Sequence, residues 1–502
     1  MGRVSFIKMA GVAVVAMGSA FAASRFVAPP RKHEPKEPSL DHLPRTIEEL
    51  LALSSQQKIL LSAATASGCD AVAYYMPDAS GKLTLKEHID LYPTANTLFD
   101  KNITYNPETF STDKNIRNSP VYHIPVPGTN GVIALHAPQR FLSRVQSEEE
   151  ALDPSDAHEP VRFRRAKLEM ATDIVNEHSD LFSVPKDNWR ERTRREKEHK
   201  TLPKKLAYFH RLVDDMHKTL GEDGFQVAHV HGVSDLMLTA IDEAVNKNQV
   251  VPVINQQQRE LIAVLTELHD VGKTQLSSSL LRAWRSSAKQ KSKDKKSEEH
   301  RYDVSINHNH PLFTLTTLLL YEQDGLTTAA HHHGLFRYTS EELAHAIGEE
   351  GFKQYHILTD NIPFDKLPPL SRMMRICDVT ESMVGRYHKD MDHCLRSMAK
   401  QAGYDADNHC FRPVVHNANT IDPEMLCFMI SSGVFEAYAK KHPEVSCDAQ
   451  KVEGASREIL EAFGWKDKQA GLEEKLRSNI ASDRLLLENP GLSRTPAAIA
   501  QR

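Results

Sequence analysis

The sequence predicts a mainly α protein in which a small α+β domain precedes a larger all-helical one. Three observations carry that expectation. Beyond Leu206 apolar residues recur at helical spacing almost to the end, with no paired strand patterns. Between residues 71 and 136 two strand–turn–strand patterns follow a single helical run. The chain has 502 residues, more than one compact core usually holds, so two domains are expected.

Taken in order, residues 1–28 read as a signal peptide or membrane anchor. Arg3 and Lys8 precede an uncharged stretch from Met9 to Ser24 that contains Ala20-Phe21-Ala22, an A-x-A pattern. That stretch is short for a membrane span. If it stays as an anchor, the basic flank of Arg25, Arg31, Lys32 and Lys36 keeps the body cytoplasmic, against the inner membrane. Export and organelle transit remain open beside it. Residues 29–45, with Pro29, Pro30, Pro35, Pro38 and Pro44, cannot hold a regular helix and read as a linker.

The small domain is expected over 46–140. Leu50 to Ala66 has helical spacing, and the strand-like runs come after Gly68. Ala71 to Met76 and Lys82 to His88 read as strands joined by the turn residues 77–81, and Val121 to Val126 with Gly131 to His136 repeat the pattern around 127–130. Residues 141–205 are polar and charged, densest from Trp189 to Lys200, and read as a helical linker through which a homodimer contact is expected. The all-helical domain follows over 206–445, and 446–502 reads as a helical tail that frays from about Asn489.

Composition narrows the function. With 40% hydrophobic and 26% charged residues the chain is ordinary for a globular protein, and a formal net charge of −5 gives no reason to expect DNA or RNA as a partner. Six cysteines without a CxxC pair offer neither a zinc ribbon nor a disulfide framework. The 26 histidines, several clustered, make a metal site the first thing to seek, because imidazole is the commonest neutral metal ligand.

The candidates form a series. Leu261, Val264, Leu265 and Leu268 make one buried helical stripe, with His269-Asp270 at its carboxyl end before Gly272, which is expected to stop the helix. Adjacent His and Asp can offer a nitrogen and a carboxylate to one metal or to two. His231 lies upstream, with His229 two residues before it as an alternative. His310 precedes Pro311, which suits the first turn of a helix through Leu312, Leu315, Leu318 and Leu319. His331-His332 close a further helix. Asp378 follows the stripe Leu370, Met373, Met374 and Cys377, where an unpaired carboxylate would be costly; a metal, an arginine or a backbone group would relieve it.

In this order the motifs resemble the HD superfamily of phosphohydrolases, and its HD-GYP branch in particular. The match runs through Val230-His231-Gly232-Val233, Leu268-His269-Asp270-Val271-Gly272-Lys273, His310-Pro311, His331-His332 and Cys377-Asp378-Val379-Thr380, and extends to 419–426; it spans about 225–440. The resemblance implies an all-helical HD-type domain with two divalent metal ions, iron or manganese, that hydrolyses a cyclic dinucleotide such as cyclic di-GMP in signal transduction. It implies that His231, His269, Asp270 and Asp378 hold one metal, and that Asp270 bridges to a second held by His310, His331 and His332. Asp270 and Lys273 would be the catalytic pair, Lys273 neutralising a phosphate oxygen. Residues 46–138 resemble a reduced GAF-type sensor domain on pattern alone.

Two departures bear on the substrate. Where the branch continues with a glutamate and a DG-x-GYP loop, this chain reads His333-Gly334-Leu335-Phe336-Arg337-Tyr338. The position whose carboxylate goes with a third metal in some members is Val227, so a dinuclear centre is expected. The connection from Asp270 to His310 holds the lysine-rich run 284–301, read as an exposed insert. Three functions therefore compete: a cyclic dinucleotide phosphodiesterase, an HD phosphohydrolase acting on another nucleotide, and a binding-only signalling scaffold.

Overall fold

A computed structural model describes residues 47–69, 71–90, 102–103, 120–137, 159–185, 188–221, 225–247, 252–275, 310–333, 364, 367–412 and 421–489. The terminal segment 1–28, the linker 29–45, the lysine-rich run 284–301 and the replacement of the GYP loop all fall outside them. Among the described residues no helix is long and apolar enough to cross a membrane.

Among the described residues the chain is mainly helical, with a five-stranded antiparallel sheet and, within the half expected to be all-helical, a two-stranded one that pairs Tyr404–Asp405 with Cys410–Phe411. Helix α1 (Ser55–Ser67) opens on a capping box between Ser54 and Gln57 and closes on Gly68, whose φ of 67° provides the left-handed cap. The strand-like runs become β1 (Ala71–Pro77), β2 (Leu83–Asp90), β4 (Val121–Pro125) and β5 (Val132–His136), with the short β3 (Asn102–Ile103) at one edge. The order is β3-β2-β1-β5-β4. The β1–β2 turn is set by Asp78, whose Oδ1 accepts from the amides of Ser80 (2.8 Å) and Lys82 (3.1 Å).

The helices that build the core follow: α2 (Glu159–Glu177), α3 (Leu202–Leu220), α4 (Phe225–Ala240), α5 (Gln256–Glu267), α6 (310–317), α7 (Glu322–His333), α8 (Pro369–Glu381), α9 (Met391–Gln401), α10 (Pro423–Ser431) and α11 (Val434–Lys441). Then come α12 (Ala449–Phe463) and α13 (Trp465–Ala481). A π-helical turn, Ile241–Asn246, extends α4, and a 3₁₀ segment, Leu268–Gln275, extends α5.

The expected division into two domains is not a break in packing. All described residues belong to one compact unit, Leu40–Arg502. A single apolar core runs from Leu60 and Leu135 of the sheet module through Phe209 and Leu265 to Leu426 and Ile459. Residues 159–182, expected within a solvated linker, bury Leu168, Ala171, Ile174 and Leu181 against α1 and α3. Only Trp189–His199 keeps the exposed, ion-paired character read from its charges, with Arg194 against Glu191 at 2.7 Å. The expected tail is equally part of the core: Gln258 Nε2 donates to the Leu486 carbonyl at 3.2 Å, and Asp483 Oδ2 accepts from the Leu370 amide at 3.1 Å.

Between α2 and α3 sits a buried aromatic and histidine cluster. His178 Nδ1 donates to the Ile174 carbonyl at 2.8 Å, so its Nε2 accepts from the Tyr321 hydroxyl at 3.0 Å. Burial holds its pKa down at about 3. The folded state therefore keeps this ring neutral while the unfolded state takes up a proton below about pH 6.5. Stability is full above that pH and falls as the pH drops toward the folded value. Between pH 7 and pH 5 the loss attributable to His178 is about 2 kcal/mol, read as the difference in urea-unfolding free energy between wild type and His178→Gln. Equal pH slopes in the two proteins would contradict it.

Candidate metal centre

The α-helix of α5 ends at Glu267, and the tighter 3₁₀ turns of Leu268–Gln275 carry His269 and Asp270 to full burial. Gly272 does not stop the helix as its position suggested. Its Cβ, if it had one, would lie 2.1 Å from the His310 carbonyl oxygen and 2.7 Å from the Thr314 nitrogen, so glycine is what lets α6 lie directly on the 3₁₀ segment. Thr314 Oγ1 fastens the contact, donating to the His269 carbonyl (2.9 Å) and accepting from the Gly272 amide (3.1 Å). This close approach sets His310 Nε2 3.1 Å from Asp270 Oδ1.

The other Asp270 oxygen, Oδ2, lies 3.3 Å from His269 Nε2, so the carboxylate spans two histidines with one oxygen toward each. Helix α8 brings Asp378, whose Oδ1 is 3.7 Å from His269 Nε2. The remaining histidine is His229, not His231: His229 Nε2 lies 3.1 Å from Asp378 Oδ1 and 3.7 Å from Asp270 Oδ2. The ligand-capable atoms of His229, His269 and Asp378 all fall within 4.8 Å of one another, and all three residues are buried.

The helix explains the exchange. Successive residues advance about 100° around an α-helix, so 229 and 231 face opposite ways. His229 shares the inward stripe of Gln226, Val233, Leu236 and Ala240, whereas His231 lines up with exposed Asp235 and has 51% of its side-chain surface open. His231 therefore does not join the buried cluster. His331 and His332 close α7, and their side chains lie outside the described residues.

Lys273 also differs from expectation. Its ammonium is buried 2.5 Å from Asp270 Oδ2, and Gln226 Nε2 donates to the same oxygen. Burial opposes ionisation of Asp270, but His269 and Lys273 outweigh it and hold the carboxyl well below its usual range. Burial likewise works against charge on His229, yet Asp378 and Glu381 more than offset it and lift the ring to about 9. The His229 shift reports the negative charge that Asp378 and Glu381 place around the ring, whereas the Asp270 shift reports its cationic neighbours.

The donor set fits a divalent transition metal. Imidazoles with carboxylates suit borderline cations, and both buried rings turn Nε2 toward the cluster. His269 Nδ1 donates to the Thr266 carbonyl at 2.5 Å, so Nε2 is the nitrogen turned to Asp270 and Asp378 and the one a metal would take. His229 turns Nδ1 to Glu381 and Nε2 to the cluster, the carboxylate–histidine arrangement that orients and strengthens a metal-ligating ring.

Glu381 and Gln226 went unnoticed in the sequence. The signal for Glu381 was its place three residues after Asp378, one turn along the same helix face. Space is reserved for it: a Cβ at Gly232 would lie 2.7 Å from Glu381 Cγ, and one at Gly385 would collide with Oε1. Removing its charge with Glu381→Gln is expected to weaken Mn²⁺ binding about 10- to 100-fold with the fold retained. Unchanged affinity in a Mn²⁺ titration would count against this role.

No family model matches the chain, and no curated protein or solved structure shows significant similarity to it. The functional reading therefore rests on the residues themselves.

Proposed function

We propose that the chain is a metal-dependent phosphohydrolase of HD type, acting on a phosphodiester of a cyclic dinucleotide, with cyclic di-GMP the leading candidate. The observation that carries this reading is the Asp270 carboxylate spanning His269 and His310 inside a buried cluster completed by His229 and Asp378. A carboxylate so placed would hold a cation together with the histidines on either side of it, and His269, Asp270, His310 and Asp378 follow the order of the HD motifs along the chain.

Bound there, divalent iron or manganese would supply Lewis acidity, acidifying water and offsetting charge on a phosphoryl oxygen. The chain's own groups prepare the site. His229 and His269 both turn Nε2 into the cluster, each ring held from behind by Glu381 or the Thr266 carbonyl, and a metal would take the place of the ring proton there. Lys273 and Gln226 keep Asp270 ionised and oriented, so the lysine acts through the carboxylate rather than on phosphate. Burial of the cluster removes water that would weaken these interactions.

A signalling role is supported by how the sheet module meets this site. Helix α1 lies against the 3₁₀ segment that carries His269 and Asp270. Its Ser62 Oγ donates to the Thr316 carbonyl of α6 at 2.9 Å, and its Lys58 forms an ion pair with Glu322 at the start of α7. A ligand that shifts α1 would act on the helices bearing the metal ligands without an intervening linker.

The test is turnover of cyclic di-GMP, alongside a panel of other cyclic and linear nucleotides, by anaerobically prepared protein supplied with Fe²⁺ or Mn²⁺. Cleavage of cyclic di-GMP to its linear form is expected. Cleavage of another nucleotide alone would move the substrate assignment, and turnover of none would favour a binding scaffold.

A further inference from the structure

The histidine left out of the buried cluster belongs to a second one. His231 on α4, His217 on α3 and Glu267 at the end of α5 bring one ligand atom each to within 4.8 Å of one another. His231 Nδ1 lies 3.5 Å from Glu267 Oε1, and His217 Nε2 lies 3.8 Å from Glu267 Oε2. The two rings meet edge to face with centroids 4.9 Å apart.

These separations are longer than a good N–H···O hydrogen bond of about 2.9 Å. They are close to the ligand–ligand edge of a tetrahedral zinc site, about 3.4 Å when each donor stands about 2.1 Å from the ion. Glu267 thus stands between the two rings, one carboxylate oxygen toward each. Two imidazoles and a carboxylate are a donor set for a borderline divalent cation, and the exposed side of His231 leaves room for water as a further ligand.

We propose that His217, His231 and Glu267 form a second metal site, for Zn²⁺, on the outer face of α3, α4 and α5. It is separate from the buried cluster because the same helices present the two sets in opposite directions: His229 inward and His231 outward on α4, Glu267 outward just before His269 turns inward. An ion here ties three helices together, and two of its ligands, His231 and Glu267, stand two positions from the inner residues His229 and His269. Zn²⁺ at the outer site thus fixes the backbone that aims His229 and His269. The proposal stands whether or not the buried cluster turns over a nucleotide.

Zn²⁺ binding to the full chain, measured by equilibrium dialysis with metal analysis, tests it. His231→Ala and His217→Ala should each lose one equivalent of Zn²⁺, or bind it at least ~100-fold more weakly, since even partners outside the ligand shell cost that much. The double variant should lose no more than either single one, and Asp270→Ala should retain that equivalent. Wild type should also gain thermal stability with Zn²⁺ that His231→Ala does not. His231 is half exposed, so its substitution leaves the core intact, and circular dichroism checks this for both variants. Folded His231→Ala and His217→Ala proteins that bind as much Zn²⁺ as wild type, equally tightly, would overturn the proposal.

Discussion

Asp270→Ala is expected to abolish nucleotide hydrolysis, lowering turnover by at least ~10³-fold, while the protein stays folded. The carboxylate serves both halves of the buried cluster at once, one oxygen toward His269 and the other toward His310, so its loss removes both contacts together. It also leaves Lys273 and Gln226 without their shared acceptor, Asp270 Oδ2, in a buried pocket. That local penalty is about 1–3 kcal/mol, more where a charge is involved, and the lysine can relieve it by losing its proton. Asp270→Asn keeps the volume and separates the effects: it should restore stability and still fail to turn over substrate. Wild-type rates in either variant would exclude Asp270 from the chemistry.

Lys205→Met is expected to cost about 3–5 kcal/mol of stability. Lys205 Nζ lies 2.8 Å from Asp324 Oδ2 and donates to Asn489 Oδ1 at 2.9 Å, with all three residues buried. Burial already raises the Asp324 pKa with the lysine beside it, so removing the lysine strands a carboxylate in the interior. Asp324 sits in the first turn of α7, the helix that ends in His331 and His332. The double variant Lys205→Met/Asp324→Leu should recover most of the loss, because an apolar pair of similar volume needs no partner. Urea unfolding of the two single variants and the double one measures this. A loss under about 1 kcal/mol for Lys205→Met would mean that the carboxylate finds another partner.

Much of this fold was legible in the chain because it depends on local periodicity. The four strand runs and their turns, the stripe of Leu261, Leu265 and Leu268, and Pro311 opening a helix are each set by residues a few positions apart. What the sequence hid was packing between distant elements. Charge made 141–205 read as a linker, yet the apolar residues of α2 among those charges bury a face against α1. Gly272 read as a helix stop because glycine often is one, whereas its role depends on a helix that begins 38 residues later, at His310.

The site divides along the same line. His269, Asp270, His310 and Asp378 were recognisable from motif order and come together in space. His231 was preferred over His229 by its place in a short motif, although the helical phase of Gln226, Val233 and Leu236 already marked His229 as the inward residue. Glu381 was legible as an acidic residue one turn beyond Asp378. Its pairing with His229, 152 residues away in sequence, was not.

The central claim is that the buried cluster is a metal centre, and the metal content of anaerobically purified protein tests it most directly. The claim predicts Fe²⁺ or Mn²⁺ bound in wild type and in His231→Ala alike, and lost from folded Asp270→Ala. Equal iron and manganese content in wild type and Asp270→Ala, or none in wild type after loading with either ion, would contradict it.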